Sequence, residues 1–239
     1  MDFSSHEYSV GAVIVAAGSS RRMQGIDKQE LLLSGVPVLV RSIRCFEAIP
    51  QIRELVVVCR EDMIPTLLSW KKEYSLSRLT AVVRGGDTRQ QSVQNGINAL
   101  SGDVDYYCIH DGARPFAQPE MISRCLEDAV RYGAATAAVP VKDTVKKAGK
   151  NGMVESTPDR SSLYLTQTPQ IFEKHVYSRA VEKAQEEGAD CTDDCQLVER
   201  LGFLVRLSQG SYYNIKITTP EDLPVAQAIA DTLDAGGIG

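Results

Sequence analysis

Val10-Gly11-Ala12-Val13-Ile14-Val15-Ala16-Ala17-Gly18-Ser19-Ser20-Arg21-Arg22-Met23 is an apolar, Val/Ile-rich run that ends in small residues and then in cations. Val10–Ala16 carries no polar residue, so it reads as a strand buried on both faces, the kind a parallel sheet contains. Similar runs follow at Leu55–Cys59, Leu79–Val83, Tyr106–His110 and Ala134–Val139. Between them lie segments of helical period near Val36–Phe46, Asp62–Tyr74, Thr88–Leu100 and Pro119–Tyr132, the last opening on a proline that a helix's first turn tolerates. Such alternation predicts βαβ units in a doubly wound, mostly parallel α/β sheet. A ligand then belongs in the crevice beyond the strands' carboxyl ends, where Ala16, Ala17 and Gly18 stand.

The alternation breaks between Val141 and Leu163. Two short strand-like pieces flank Gly149 to Gly152 with little apolar content, which fits a projecting β-hairpin better than a crossover. Regular pattern returns with a strand at Tyr164–Thr166 and helices near Glu173–Glu187 and Asp193–Leu201. Strands at Leu204–Leu207 and Tyr213–Ile217 and a helix from Pro220 complete it. Without repeat or linker, the expectation is one domain over residues 1–239 with an arm at 141–163.

Composition narrows the function. The 239 residues are 43% apolar and 24% charged, as in ordinary globular proteins. Lys and Arg total 26 against 31 Asp and Glu, a net charge of −5, so nothing suggests a surface built for nucleic acid or anionic lipid. No apolar run approaches the ~18 residues that span a bilayer. The polar start, Met1-Asp2-Phe3-Ser4-Ser5-His6-Glu7, lacks a leader pattern, and the expected compartment is the cytoplasm. The six cysteines form no C-x-x-C pair, and Cys191 and Cys195 lack partners at metal-ligand spacing; they read as buried or idle thiols.

Four segments can carry chemistry. The small residues Ala16-Ala17-Gly18 let a phosphate or ribose approach the backbone, and Arg21, Arg22 and Lys28 add positive charge where phosphoryl or nucleotidyl transfer needs it; a glycine turn with solvated cations would have the same spacing. Gly85-Gly86-Asp87-Thr88 can cap a helix, leaving backbone groups and the Ser92 hydroxyl to read a base edge. Asp111, in His110-Asp111-Gly112-Ala113-Arg114-Pro115, suits a ribose hydroxyl or a Mg²⁺ shared with phosphates, or equally an Asp–Arg turn bridge. His110 reads as a satisfied strand residue. In Asn214-Ile215-Lys216-Ile217-Thr218, strand alternation would set Asn214, Lys216 and Thr218 on one face, where Lys216 can meet a phosphate or simply be solvated.

In order along nearly the whole chain, these segments resemble the 2-C-methyl-D-erythritol 4-phosphate cytidylyltransferase family. Further signatures are Lys28-Gln29, Arg89, Ser92-Val93, Pro140-Val141-Lys142-Asp143-Thr144, Gln167-Thr168-Pro169-Gln170, Thr192-Asp193-Asp194 and Pro220-Glu221-Asp222. The resemblance implies a Mg²⁺-dependent reaction of CTP with methylerythritol phosphate that releases pyrophosphate. It assigns Arg22, Lys28 and Lys216 to the α-phosphate and leaving group. Ala16, Ala17, Gly18, Gly86, Asp87 and Ser92 fall to cytidine and phosphate, and Asp111 with Gly112 to ribose, Asp111 also standing as a metal ligand. Thr144 and Arg160 would be presented by the arm of a partner subunit in a homodimer, Arg160 among the catalytic cations. Arg114 and Thr192 match the polyol end, and Thr218 joins the substrate-binding set.

The chain departs from the family at Glu30, where an apolar or aromatic residue is usual, and at Cys195, where alanine is common. Ribitol 5-phosphate cytidylyltransferases carry a similar cysteine, so ribitol phosphate stands as the alternative substrate. A dinucleotide oxidoreductase would need a glycine fingerprint that is missing. A nucleotide-binding protein without catalysis is distinguished only by turnover.

Overall fold

β1 (Val10–Val15) lies inside a seven-stranded sheet, flanked by strands far from it in the chain. The computed structural model describes residues 8–18, 27–189, 191 and 193–236, so Arg22 and Thr192 lie outside the described residues. After β1 come β2 (Leu32–Leu33), β3 (Val36–Pro37), α1 (Val38–Glu47), β4 (Ile52–Cys59), α2 (Ile64–Glu73), β5 (Leu79–Arg84), α3 (Arg89–Asn98), β6 (Tyr106–Asp111), α4 (Pro119–Tyr132) and β7 (Ala134–Pro140). The second half contributes β8 (Lys147–Ala148), β9 (Val154–Ser156), β10 (Tyr164–Glu173), α5 (Lys174–Glu186), α6 (Asp194–Arg200), β11 (Arg206–Gln209) and α7 (Asp222–Asp234).

The sheet order is β11-β7-β10-β6-β1-β4-β5. Only β10 runs antiparallel to its neighbours; every other pairing is parallel. The chain winds outward from β1 through β4 to β5, then returns to place β6 on β1's other side. That reversal opens a crevice between the ends of β1 and β6, where Val15 pairs with Asp111.

The apolar alternation of β1 explains the two helical layers. Val10, Ala12 and Ile14 pack with Leu39, Ile43 and Phe46 of α1 and Met121, Cys125 and Ala129 of α4. Val13 faces the opposite layer with Val93, Tyr177 and Val198, from α3, α5 and α6. α4 shows the local logic: Met121, Ile122, Cys125, Leu126 and Ala129 fall on one helical face, Pro119 opens the helix, and Gly133 ends it at φ +83°. Among the described residues no helix is long and apolar enough to cross a membrane.

Three expectations from sequence are corrected. The strand expected at Tyr164–Thr166 continues to Glu173, through a register irregularity between Thr166 and Gln170. Gln167, Thr168 and Gln170 read as a break because they are polar, yet all three are buried and hydrogen-bonded. The strand expected at Leu204–Leu207 sits at Arg206–Gln209, its register set by pairing with Ala135–Ala138 of β7. Tyr213–Ile217 forms no strand: its one backbone hydrogen bond to another element runs from the Ile217 N–H to the Ala113 carbonyl at 2.9 Å. Asn214 turns inward and is fully buried, donating to the Thr168 carbonyl at 2.8 Å, while Ile217 packs against α7.

Within the arm, β8 pairs antiparallel with β9 and every residue of both strands is exposed. The two sides of its base are joined by Arg160, whose guanidinium donates to the Lys142 carbonyl at 2.8 Å.

Candidate active site

A cleft of about 530 Å³ opens at the carboxyl ends of β1, β5 and β6. Ala16, Ala17 and Gly18 form one wall, Gly86 to Arg89 with Ser92 a second, and Asp111 with Ala113 the floor; Lys28, Gln29 and Lys216 close the remaining side. The turns after β1 and β5 touch so closely that a Cβ on Gly85 would stand 2.3 Å from the Ala17 Cβ. Glycine there is a packing requirement.

The second wall is a braced helix start. The Thr88 hydroxyl accepts from the Gln91 N–H at 3.1 Å, and Gln91 Oε1 accepts in return from the Asp87 and Thr88 N–H groups. Ser92 Oγ accepts from the Gly86 N–H at 3.1 Å and donates to the Thr88 carbonyl at 2.9 Å. Its donor is therefore spent on the loop, and one lone pair remains for a ligand.

Asp111 is the electrostatic centre. Its Oδ2 lies 2.7 Å from Lys216 Nζ and 3.6 Å from Arg114 Nε, and its Oδ1 lies 3.8 Å from an Arg89 amino group. Burial pushes the carboxyl pKa up, but Lys216, Arg89 and Arg114 outweigh it and hold the group well below the usual carboxylate range. Asp111 is thus an anion throughout the physiological range and serves as an acceptor or ligand. Its own N–H donates to the Thr168 hydroxyl at 3.1 Å, which hydrogen-bonds His110 Nδ1 at 2.9 Å. His110 Nε2 donates to the Arg114 carbonyl at 3.0 Å, so the imidazole is a buried brace.

Lys28 and Lys216 meet on one short segment. Lys28 Nζ donates to the Ile217 carbonyl at 3.1 Å, across 189 positions of sequence, beside the Lys216 that binds Asp111. The structure therefore gathers Ala16, Ala17, Gly18, Lys28, Gly86, Asp87, Ser92, Asp111 and Lys216 around one space. Gly112 lies directly behind it, where an added Cβ would come within 3.0 Å of the Ala16 Cβ. Other expected residues do not line the cleft. Arg114 donates to the Asn214 carbonyl at 2.8 Å, and the Thr218 amide and hydroxyl both donate to Asp222 at the start of α7. Thr144 and Arg160 stand exposed on the arm.

Sequence reasoning left Arg89 and Gln29 without a role in the site. Arg89 sits one residue past the Thr88 cap and lines the cleft, and Gln29 is buried with its Oε1 unpartnered. Both stand among the signatures of the family resemblance, and their neighbourhood to Lys28 and to the Gly85-Gly86 turn is the local signal that could have given them a role. Cys195, in contrast, is buried in the apolar layer with α5 and is not among the described residues that line this cleft.

Among the described residues no three His, Cys, Asp or Glu side chains form a metal cage. Mg²⁺ in nucleotide sites takes one or two carboxylates and completes its shell with phosphates and water, which the Asp111 carboxylate on the cleft floor fits.

A crevice of this size at a strand reversal, floored by Asp111 and closed by cations distant in sequence, defines a nucleotide-handling α/β protein of the doubly wound class. A model of the 2-C-methyl-D-erythritol 4-phosphate cytidylyltransferase family matches residues 10–232. A protein of that name from Caldanaerobacter subterraneus is 46% identical over 228 residues, covering 92% of this chain and 97% of the relative. One from Dehalococcoides mccartyi is also 46% identical, over 220 residues, covering 92% and 95%. Among solved structures, the 4-diphosphocytidyl-2C-methyl-D-erythritol synthase of Anaerococcus prevotii superposes with a TM-score of 0.84 at 30% identity, covering 95% of this chain and all 100% of its own. The cytidylyltransferase of Thermus thermophilus gives 0.77 at 32%, covering 93% and 99%. This chain belongs to the 2-C-methyl-D-erythritol 4-phosphate cytidylyltransferase family.

Proposed function

We propose that the protein joins CTP to 2-C-methyl-D-erythritol 4-phosphate, giving 4-diphosphocytidyl-2-C-methyl-D-erythritol and pyrophosphate. The convergence of Lys28 and Lys216 on the cleft that holds Gly18 and Asp111 carries this reading. A phosphate oxygen of methylerythritol phosphate attacks the α-phosphorus of CTP. The new P–O bond forms as the bond from the α-phosphorus to the oxygen bridging it to the β-phosphate breaks, and that oxygen leaves with pyrophosphate.

Little covalent chemistry falls to the protein, so positioning and charge supply the acceleration. Lys28, Lys216 and Arg22 balance the charge that grows on the α-phosphate and the departing pyrophosphate. The Ala16-Ala17-Gly18 turn and the Gly86–Ser92 loop hold cytidine and triphosphate, and Asp111 with Gly112 holds the ribose. Asp111 would hold Mg²⁺ when it is bound, and the ion would supply positive charge against that of the triphosphate.

The arm makes the second half of the site in a homodimer. Thr144 and Arg160 reach a partner's cleft, where Arg160 meets the methylerythritol phosphate alongside Arg114, Thr192 and Thr218. Supporting this, the arm and its base expose large apolar side chains, among them Met153, Val154, Tyr164 and Leu165, that a second copy would cover. We place the enzyme in the cytoplasm, where its free thiols stay reduced.

The deciding experiment is pyrophosphate release with CTP and Mg²⁺, comparing methylerythritol phosphate with ribitol 5-phosphate. Preference for the first supports the reading. Preference for the second moves the chain to a polyol-phosphate relative, and release with neither leaves a nucleotide-binding protein without this catalysis.

A further inference from the structure

Arg89 stands at the first position of α3 and shares its guanidinium between two carboxylates. Its Nη1 is 2.6 Å from Asp194 Oδ2, and its Nη2 is 3.8 Å from Asp111 Oδ1. Asp194 belongs to the Thr192-Asp193-Asp194 signature, is 1% exposed, and is not among the residues that line the cleft. It is fixed on its other sides: Oδ1 accepts from the Tyr177 hydroxyl at 2.7 Å, and its N–H donates to Gln170 Oε1 at 3.1 Å. Tyr177 is itself buried between α5 and the sheet.

A buried carboxylate held this fully leaves its partner cation little freedom. The two oxygens of Asp111 are consequently divided, Oδ1 facing Arg89 and Oδ2 facing Lys216. Without Arg89 the carboxylate can turn both oxygens toward Lys216 and Arg114 and draw Lys216 away from the nucleotide. We propose that Arg89, anchored by Asp194 and Tyr177, is a positioning residue that fixes the orientation of Asp111 and, through it, the reach of Lys216. The inference rests on the reading above and assigns a role to a pair that joins the cleft-lining Arg89 to the buried Asp194.

The alternative is that the pair merely clamps α6 to α3, and a double-mutant cycle separates the two. Arg89→Lys, Tyr177→Phe and Asp194→Asn are made in the full chain, each with native Asp111 and each with Asp111→Asn, measuring kcat, KM for CTP and the unfolding temperature. With native Asp111, Arg89→Lys is expected to lower kcat about tenfold and Tyr177→Phe about threefold, with KM for CTP within about twofold. In the Asp111→Asn background the same changes should alter kcat by less than about twofold. Equal losses in both backgrounds, or a fall in unfolding temperature alone, would overturn the proposal, as would a rise confined to the KM for CTP. If Asp194→Asn does not fold, the Lys and Phe variants keep both charges and carry the cycle. If Asp111→Asn is too slow to assay, a crystal structure of Arg89→Lys decides: a carboxylate rotated off its native position supports the proposal and an unmoved one refutes it. Absent turnover in the native enzyme would sink the proposed reaction instead.

Discussion

Lys28 Nζ donates to the Ile217 carbonyl at 3.1 Å, so the cation after the first strand is tied to the segment that carries the last one. Between them lies nearly the whole α/β domain. The cleft is therefore completed only when the two ends of the fold have come together.

Removing either lysine tests the charge argument. Lys28→Ala and Lys216→Ala are each expected to cost on the order of a hundredfold or more in kcat, the scale of losing one preorganised charge from a transition state. Steady-state kinetics on the folded variants checks this. Near-native turnover would remove that residue from the mechanism.

Mixing variants tests the shared site. Lys28 belongs to a chain's own cleft, whereas Arg160 is proposed to serve its partner's. Lys28→Ala and Arg160→Ala chains, inactive apart, should recover about a quarter of native activity after equimolar subunit exchange, because half the dimers are mixed and each has one intact site. No recovery with exchange demonstrated would contradict a crossing arm.

His110 sets a pH dependence of stability. Burial pushes its pKa from 6.5 down to about 4, so the folded protein keeps it neutral while the unfolded chain takes up a proton below about pH 6.5. Stability from this group is full above the unfolded pKa and falls as pH falls toward 4, a loss of about 3 kcal/mol over the window. Denaturant midpoints at about pH 7.5 and pH 5 should separate more for the native protein than for His110→Gln. Equal separations would show that His110 titrates normally when folded.

Gly85→Ala tests the contact between the two turns. The added methyl would sit 2.3 Å from the Ala17 Cβ and 3.0 Å from Ser92 Oγ, so one wall must shift. A stability loss of about 1–3 kcal/mol with a raised KM for CTP is expected, read by thermal unfolding and kinetics. An unchanged KM would mean that the turn does not bind the nucleotide.

The buried strands were legible because β-branched runs without polar residues have few other uses, and the crevice followed from their alternation with helices. What failed to show was polar. Gln167, Thr168 and Gln170 broke the pattern of β10 because sequence does not reveal that Ser211, His110 and Asp194 satisfy them. The Arg89–Asp194 pair spans 105 positions and left no local trace. Asn214 looked like one face of a strand and is instead a buried clasp on the Thr168 carbonyl.

A crystal structure with CTP bound addresses the convergence of cations most directly. The triphosphate should lie in the cleft floored by Asp111, with the ammonium groups of Lys28 and Lys216 both within about 3 Å of phosphate oxygens. A triphosphate bound elsewhere, or a Lys216 that stays on Asp111 and touches no phosphate, would contradict the account.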